Sequence, residues 1–446
     1  MPLNRGPLPP LDLSRRRFLG LTGAVAGAGL LAACGGSSGP AAGGKPDAGT
    51  SYTGAYKGPK VSLNFWNGFT GGDGPYMKKL VERFNAEHPN IQVTMTTMQW
   101  ADYYKKVPTA VQAGQGPNIG IAHQHQLATL AARRAILPLD DVAGELKLSE
   151  DDFVPTIWKA GIYQDARYGI PLDVHCLASY WNTDLTDKAG VTDPGQGFEA
   201  ALGKLAAGGA KQPFWMPNAW PAHLIFLSLL WQHGGQPFNA DVTKAAFDSD
   251  AGVAALTWMV DQVKKGHSPK NVAVDTQYNA FKTGRNAITW DGIWQINDLK
   301  DTAPQLHWKM GFVPTVGDTP AAWADGHNFV LMRQAADDNK LTASKAFIDW
   351  IGRQSAGWAG AGMIPARNSA RTGADFTARP QAALAAKLDS LRFLPSIPGI
   401  DDVGNQSYST AVAKAVLGQQ TPKQALSDAA RTADELLARN RQKFGS

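Results

Sequence analysis

The sequence predicts an α/β protein built on a mainly parallel sheet with covering helices. Two observations carry this. Apolar residues recur first with strand period and then with helix period, in the order strand, loop, helix, strand, helix, strand. The chain has 446 residues, 43% apolar and 18% charged, which suits a large buried core and two or three lobes rather than one small domain.

Val61, Leu63 and Phe65 alternate, and this is the first predicted strand. A glycine-rich loop follows from Asn67 to Pro75. It lacks the Gly-Lys-Ser/Thr of a phosphate loop and the spacing of a dinucleotide fingerprint, so it reads as a ligand-facing loop whose backbone approaches closely or, alternatively, as a plain turn. Met77, Leu80, Val81 and Phe84 fall at helical spacing until Pro89. Ile91, Val93 and Met95 give a second strand, 101–113 a helix, and 118–122 a third strand. Ligands of such sheets sit beyond the carboxyl ends of the strands. Asn67, Phe69, Thr70 and Asp73 therefore share a crevice edge with His123, Gln124 and His125.

Residues 170–182 are apolar except where Asp173 and His175 interrupt, as in a buried strand passing a polar site. Residues 224–231 are apolar for only eight positions, too few to span a membrane, so a buried helix is expected. Residues 326–331 read as a returning strand. The stretch 421–443 reads as an amphipathic helix, with Leu426, Ala429, Ala430, Ala433, Leu436 and Leu437 on one face.

The N-terminus has another character. Ser14-Arg15-Arg16-Arg17-Phe18-Leu19 looks like a twin-arginine export signal, and Leu19–Ala33 is mildly apolar and too short to span a bilayer. Leu31-Ala32-Ala33-Cys34 resembles a lipobox, which would make Cys34 the lipidated mature N-terminus. Residues 34–59 would then be anchor and flexible tether. The chain's +5 formal charge falls to +2 once the +3 of residues 1–33 is set aside, which gives little reason to bind nucleic acid. Cys176, the second of two cysteines, reads as a small buried apolar residue.

Tryptophan is abundant, with 14 residues. Several adjoin polar residues, as at Trp66-Asn67, Asn218-Ala219-Trp220 and Trp290-Asp291. An indole face covers the C–H side of a sugar ring, and planar polar groups satisfy its hydroxyl rim. His123-Gln124-His125 would also suit a metal, but no third ligand at a sensible spacing is visible, so no metal or cofactor is expected.

Six segments in register resemble the family 1 extracellular solute-binding proteins of bacterial ABC importers, the group that includes maltose-binding protein. They are Phe65-Trp66, Gly116-Pro117-Asn118-Ile119 (often Pro-Asp in the family), and Gly169-Ile170-Pro171 leading to Tyr180-Trp181-Asn182. The others are Ala287 to Trp294, Gly362 to Arg367, and Gln419-Gln420-Thr421-Pro422. The resemblance implies a two-lobe periplasmic-binding-protein fold, with ligand in a cleft between lobes joined by crossing segments near 170–175, 324–328 and 360–366. The N-lobe would be 60–172 plus 328–362, and the C-lobe 173–327 plus 363–446. It also implies contacts from Asp173 and His175 in the first crossing, from Trp220, Trp290, Asp291 and Trp294 in the C-lobe, and from His327, Asn328 and Arg367 by the other crossings.

The function so implied is carbohydrate capture by lobe closure and delivery to a membrane permease with its ATPase, by a monomeric lipoprotein outside the cell membrane and without catalysis. A glycerol phosphodiester or other polyol is the alternative ligand, for which Arg367 is the obvious cleft arginine. An exported glycoside hydrolase is the alternative function, which would need a carboxylate pair such as Asp173 and Asp291.

Overall fold

Strand β1 (Val61–Asn67) alternates buried and exposed positions, and its inward Leu63 and Phe65 meet the helix Gly74–Glu87, which buries Met77, Val81 and Phe84. In the computed structural model the described residues are 52–334 and 337–445. The twin-arginine and lipobox readings, Cys34 included, lie outside them. The expected tether needs correction at its end: Tyr52 is buried and its hydroxyl donates to Asp349 Oδ2 at 3.0 Å.

The strands that follow are β2 (Ile91–Thr97), β3 (Ile119–His123), the hairpin β4 (Ile162–Tyr163) and β5 (Ala166–Arg167), β6 (Ile170–Pro171) and β7 (Asp173–Asn182). Then come β8 (Ile288–Gly292), β9 (Trp308–Gly311), β10 (Ala322–Asp325), β11 (His327–Leu331), β12 (Ile364–Pro365) and β13 (Leu391–Arg392). They form two main sheets. The first runs β2-β1-β3-β11-β6, with β1 parallel to β2 and β3 as the β-α-β-α-β order requires, and β11 antiparallel to β3. The second is centred on β7, which pairs antiparallel with β8, β9, β10 and β12. The expectation of parallel strands therefore holds for β2-β1-β3 in the first sheet, where β11 pairs antiparallel with β3 and with β6, and is corrected for the second. Only Trp181 of the ten residues of β7 escapes full burial. A strand covered on both faces reads as a continuous apolar run and shows nothing of its partners' direction.

Two crossings carry the chain between sheets. Leu172 alone separates β6 from β7, and Gly326 alone separates β10 from β11. The crossings pack tightly, since a Cβ on Gly326 would lie 2.7 Å from the Asp173 carbonyl oxygen. A third passage follows the helix Asp338–Arg353, and β12 then pairs Ile364 with Val174 and Pro365 with Asp173.

The helices support this frame. Ala222–Gln232 is buried all round apart from His223, as the apolar run at 224–231 predicts. Pro422–Phe444 starts at Thr421, whose side chain accepts from Gln424 N, and buries Ala425, Leu426, Ala429, Ala430, Ala433, Leu436 and Leu437. Among the described residues no helix is long and apolar enough to cross a membrane.

Candidate ligand cleft

The carboxyl ends of β1 and β3 and the two crossings converge on one polar cluster. At the end of β1 the Asn67 side-chain oxygen accepts from Phe69 N at 3.2 Å and Thr97 Oγ1 at 3.0 Å, so Asn67 shapes the turn. Gly68 is required there, because a Cβ would meet the Trp100 ring at 2.1 Å. The turn aims Phe69 inward, with ring centroids 4.9 Å from His327, 5.1 Å from Trp358 and 5.9 Å from Trp100. Asp73 follows, and burial pushes its carboxyl up to about 6.

The end of β3 brings in three residues. His123 Nδ1 lies 2.7 Å from the Tyr104 hydroxyl, which also accepts the His123 backbone N–H at 2.9 Å. Gln124 donates its backbone N–H to Asp325 Oδ1 at 3.0 Å. His125 is paired through both ring nitrogens, Nδ1 with Asp325 and Nε2 with Asp401 Oδ1 at 3.5 Å. Burial opposes charge on His125, but these carboxylates outweigh it and raise the imidazole to about 10. The same partnership holds Asp325 below the usual carboxylate range despite its burial.

The crossings supply the centre. The register of β11 against β3 sets His327 opposite His123, and that of β10 against β7 sets Asp325 opposite His175. Asp173 is fully buried and accepts from His327 Nδ1 at 3.0 Å and from Trp358 Nε1 at 2.7 Å, with His175 Nδ1 at 3.3 Å. Burial disfavours its charge, yet His327 outweighs burial and keeps the carboxyl low; in turn Asp173 overcomes burial and raises His327. His123 and His175 are pushed down by burial and then by His327, so both are neutral. One ring nitrogen from each of His123, His175 and His327 lies within 4.8 Å of those of the other two.

An indole wall stands beside this cluster. Trp294 is 5.9 Å from His175, 6.1 Å from Trp220 and 6.4 Å from Trp323. Gly292 permits the fold-back of Trp294, whose ring would lie 2.1 Å from an added Cβ. Trp220 is 40% exposed, the one tryptophan among the large apolar side chains left in solvent. Segments following the two sheets touch on either side of the cluster. Asn297 Nδ2 reaches the Gly72 carbonyl at 3.5 Å, and Gly399 N donates to Thr129 Oγ1 at 2.9 Å.

The structure thus brings together Phe69, Asp73, His123, Gln124, His125, Asp173, His175, Trp220, Trp294 and His327. Thr70 is exposed at the rim, 3.5 Å from Gln99. Asn328 is fully buried within β11, held to Gly326 O at 3.3 Å. Three expectations are corrected. Trp290 is 1% exposed and stacks on Trp258 at 5.5 Å, packed also against Phe198 and Phe214, because it faces the interior of the second sheet. Asp291 is buried and bonded to Gly292 N, Gln295 and Gln277. Arg367 is engaged by Asp152 at 3.1 Å and lies over Phe153. The carboxylates of Asp173 and Asp291 are not brought together: Asp291 faces Ala178, five residues along β7 from Asp173, about 16 Å at strand rise.

Sequence reasoning left out Tyr104, Asp325, Trp358 and Asp401 as site residues. Asp325 had a signal, since it stands two residues before His327 as Asp173 stands before His175. Asp401 had none, and its place depends on the helix Ile400–Gln406 packing against the Gln124–Gln126 turn.

Comparison with known proteins agrees with this arrangement. The profile of the bacterial extracellular solute-binding protein family matches residues 79–384. A putative binding protein of Brucella abortus (strain 2308) is 25% identical over 377 residues, covering 82% of this chain and 90% of that one. The sn-glycerol-3-phosphate-binding periplasmic protein UgpB of Escherichia coli O1:K1 is 25% identical over 417 residues, covering 85% and 93%. The GacH receptor of Streptomyces glaucescens, solved unliganded and with acarbose, superposes with a TM-score of 0.76 at 21% identity, covering 85% of this chain and 99% of that one. The two-sheet architecture is that of the maltose-binding-protein-like fold, and with more than half its length matched the chain belongs to the bacterial extracellular solute-binding protein family.

Proposed function

We propose that this protein is the exported, lipid-anchored solute receptor of an ABC importer, and that it captures a carbohydrate between its lobes and passes it on unaltered. The observation that carries the reading is the half-exposed Trp220 beside Trp294, whose ring lies 5.9 Å from His175 in the cluster of buried polar groups that also holds Asp173 and His327. Indole faces take the C–H side of a sugar ring, and fixed planar donors and acceptors take its hydroxyls. A site of that kind rejects ligands that leave its polar groups unpaired. The acarbose complex of GacH, of the same fold, supports a sugar. The contacts at Gly72 and Thr129 support a reading in which the lobes close, a state that ligand would favour through its contacts with both lobes. Cys34 would hold the protein at the outer membrane face, where a monomer docks on its permease.

The relation to sn-glycerol-3-phosphate-binding UgpB, and the shared fold of a UgpB complex with glycerophosphocholine, favour a second ligand class, a glycerol phosphodiester. Against it, Asp73, Asp173 and Asp325 surround the cluster, and Arg367 is engaged elsewhere. A thermal-shift screen decides. Ligand at 100 times its dissociation constant stabilises the fold by about 2.7 kcal/mol. A raised melting point with glycerophosphodiesters and none with any sugar refutes the carbohydrate reading.

A further inference from the structure

We propose that His123, His175 and His327 form a binding site for a divalent transition-metal ion of the zinc class. The three come from β3, β7 and β11, so the site bridges both sheets at the crossings. One nitrogen of each lies within 4.8 Å of the others. Each Nδ1 already has a partner: Tyr104 for His123, and Asp173 for His175 and His327. With each Nδ1 so engaged, Nε2 is the donor atom left on each ring, that of His327 once the ion displaces its proton, and among the described residues none of these three Nε2 atoms has a hydrogen-bond partner. A buried carboxylate orienting two imidazoles through their outer nitrogens is the support that metal-binding histidines use. Asp173 is itself fixed by Trp358 Nε1 at 2.7 Å.

Buried carboxylates stand beside the rings. Asp73, Asp173 and Asp325 are all buried around the three rings, and His125 is engaged with Asp325 and Asp401, outside the donor set. A tetrahedral zinc ion at about 2.0–2.1 Å from each nitrogen holds its ligands roughly 3.4 Å apart. The rings must draw in by about 1 Å on binding. Three imidazoles leave a fourth position for water or a solute oxygen. Imidazole donors select zinc, copper, nickel or cobalt over calcium or magnesium.

The inference stands apart from the carbohydrate reading, since ion binding is measured with no sugar present. The test is calorimetric titration of the full-length protein, stripped with chelator, with zinc chloride. One ion per chain is expected, at a dissociation constant of about 1 μM or tighter. Substituting cobalt should give the intense visible bands of a tetrahedral nitrogen site. His175→Ala and His327→Ala should each abolish that spectrum. Asp173→Asn, which keeps all three ligands, should weaken binding about 10- to 100-fold. His307→Ala, on the surface with Asp184, should change nothing. His175→Gln, checked by circular dichroism, serves where an alanine variant fails to fold. Binding weaker than about 100 μM, or binding that survives His175→Gln with its cobalt spectrum intact, overturns the proposal. A protein that binds zinc and ignores sugars refutes the carbohydrate reading alone. One that binds sugar and ignores zinc refutes this one alone.

Discussion

Asp291→Asn should stabilise the protein, and should do so increasingly as pH rises. Asp291 is buried with no cation beside it, and burial pushes its carboxyl up to about 7. An unfolded aspartate titrates near 3.9. Above pH 7 both states are ionised, and the folded state carries the full cost of a buried carboxylate. Between about pH 7 and 4 the folded state takes up the proton first and that cost fades. Near pH 4 it is gone. A difference of roughly three pH units corresponds to about 4 kcal/mol as an upper bound. Asparagine keeps the acceptor that Gly292 N and Gln295 use. Its amide would face Gln277 Nε2, but Gln277 Oε1 is buried without a partner, so turning that amide over restores the bond. Urea unfolding of both proteins from pH 4.5 to 8 measures the difference. A variant less stable than wild type at pH 8, or a gap that stays flat across the range, refutes the argument. A stable variant that no longer binds ligand would return Asp291 to the cleft.

Trp290→Ala opens a cavity among Phe198, Phe214 and Trp258 and should cost about 3–5 kcal/mol in urea unfolding. Trp220→Ala should leave stability within about 0.5 kcal/mol while weakening carbohydrate affinity at least about tenfold by titration, a loss near 1.4 kcal/mol. Gly72→Val places a Cβ 2.8 Å from Asp298 N and 2.9 Å from Asn297 Cβ. It should wedge the lobes apart, seen as a larger radius of gyration in small-angle scattering and weaker ligand binding at unchanged secondary structure. Cys34→Ala should move the protein from the membrane fraction to the soluble one.

The first sheet was legible because its opening strands β1 and β2 each have one wet face: Leu63 and Phe65 alternate with exposed Ser62 and Asn64, and Ile91 and Val93 with exposed Gln92 and Thr94. The all-buried helix at 222–232 and the amphipathic helix at 422–444 followed from length and period. The second sheet was harder. β7 carries no alternation, and β8, β9 and β10 are four or five residues long with neighbours far away in sequence. Trp290 and Trp294 show the same difficulty at the level of side chains. Both are aromatic, four residues apart and beside polar neighbours. One ends in the core on Trp258 and the other by His175, because β8 stops at Gly292 between them.

The polar cluster divides in the same way. His123-Gln124-His125, Asp173-Val174-His175 and Asp325-Gly326-His327 are three polar pairs, each two residues apart. Strand period directs Asp173 and His175 to one face of β7, and the other two pairs straddle strand ends, at the end of β3 and between β10 and β11, so each pair marks a polar spot at the end of a strand. What no local pattern supplies is the pairing of His327 with His123 and of Asp325 with His175, which joins positions about 150–200 apart. That register also sorts the histidines by charge. His327, held by Asp173, and His125, held by Asp325, are favoured as cations. His123 and His175, left to burial and to the neighbouring imidazolium, are neutral. A flat reading of His-x-His as a two-ligand motif therefore mistakes its partner. His125 belongs to a carboxylate clamp that reaches Asp401, while His123 belongs with the rings of two other strands, and the register of the crossings is what makes the two roles separate.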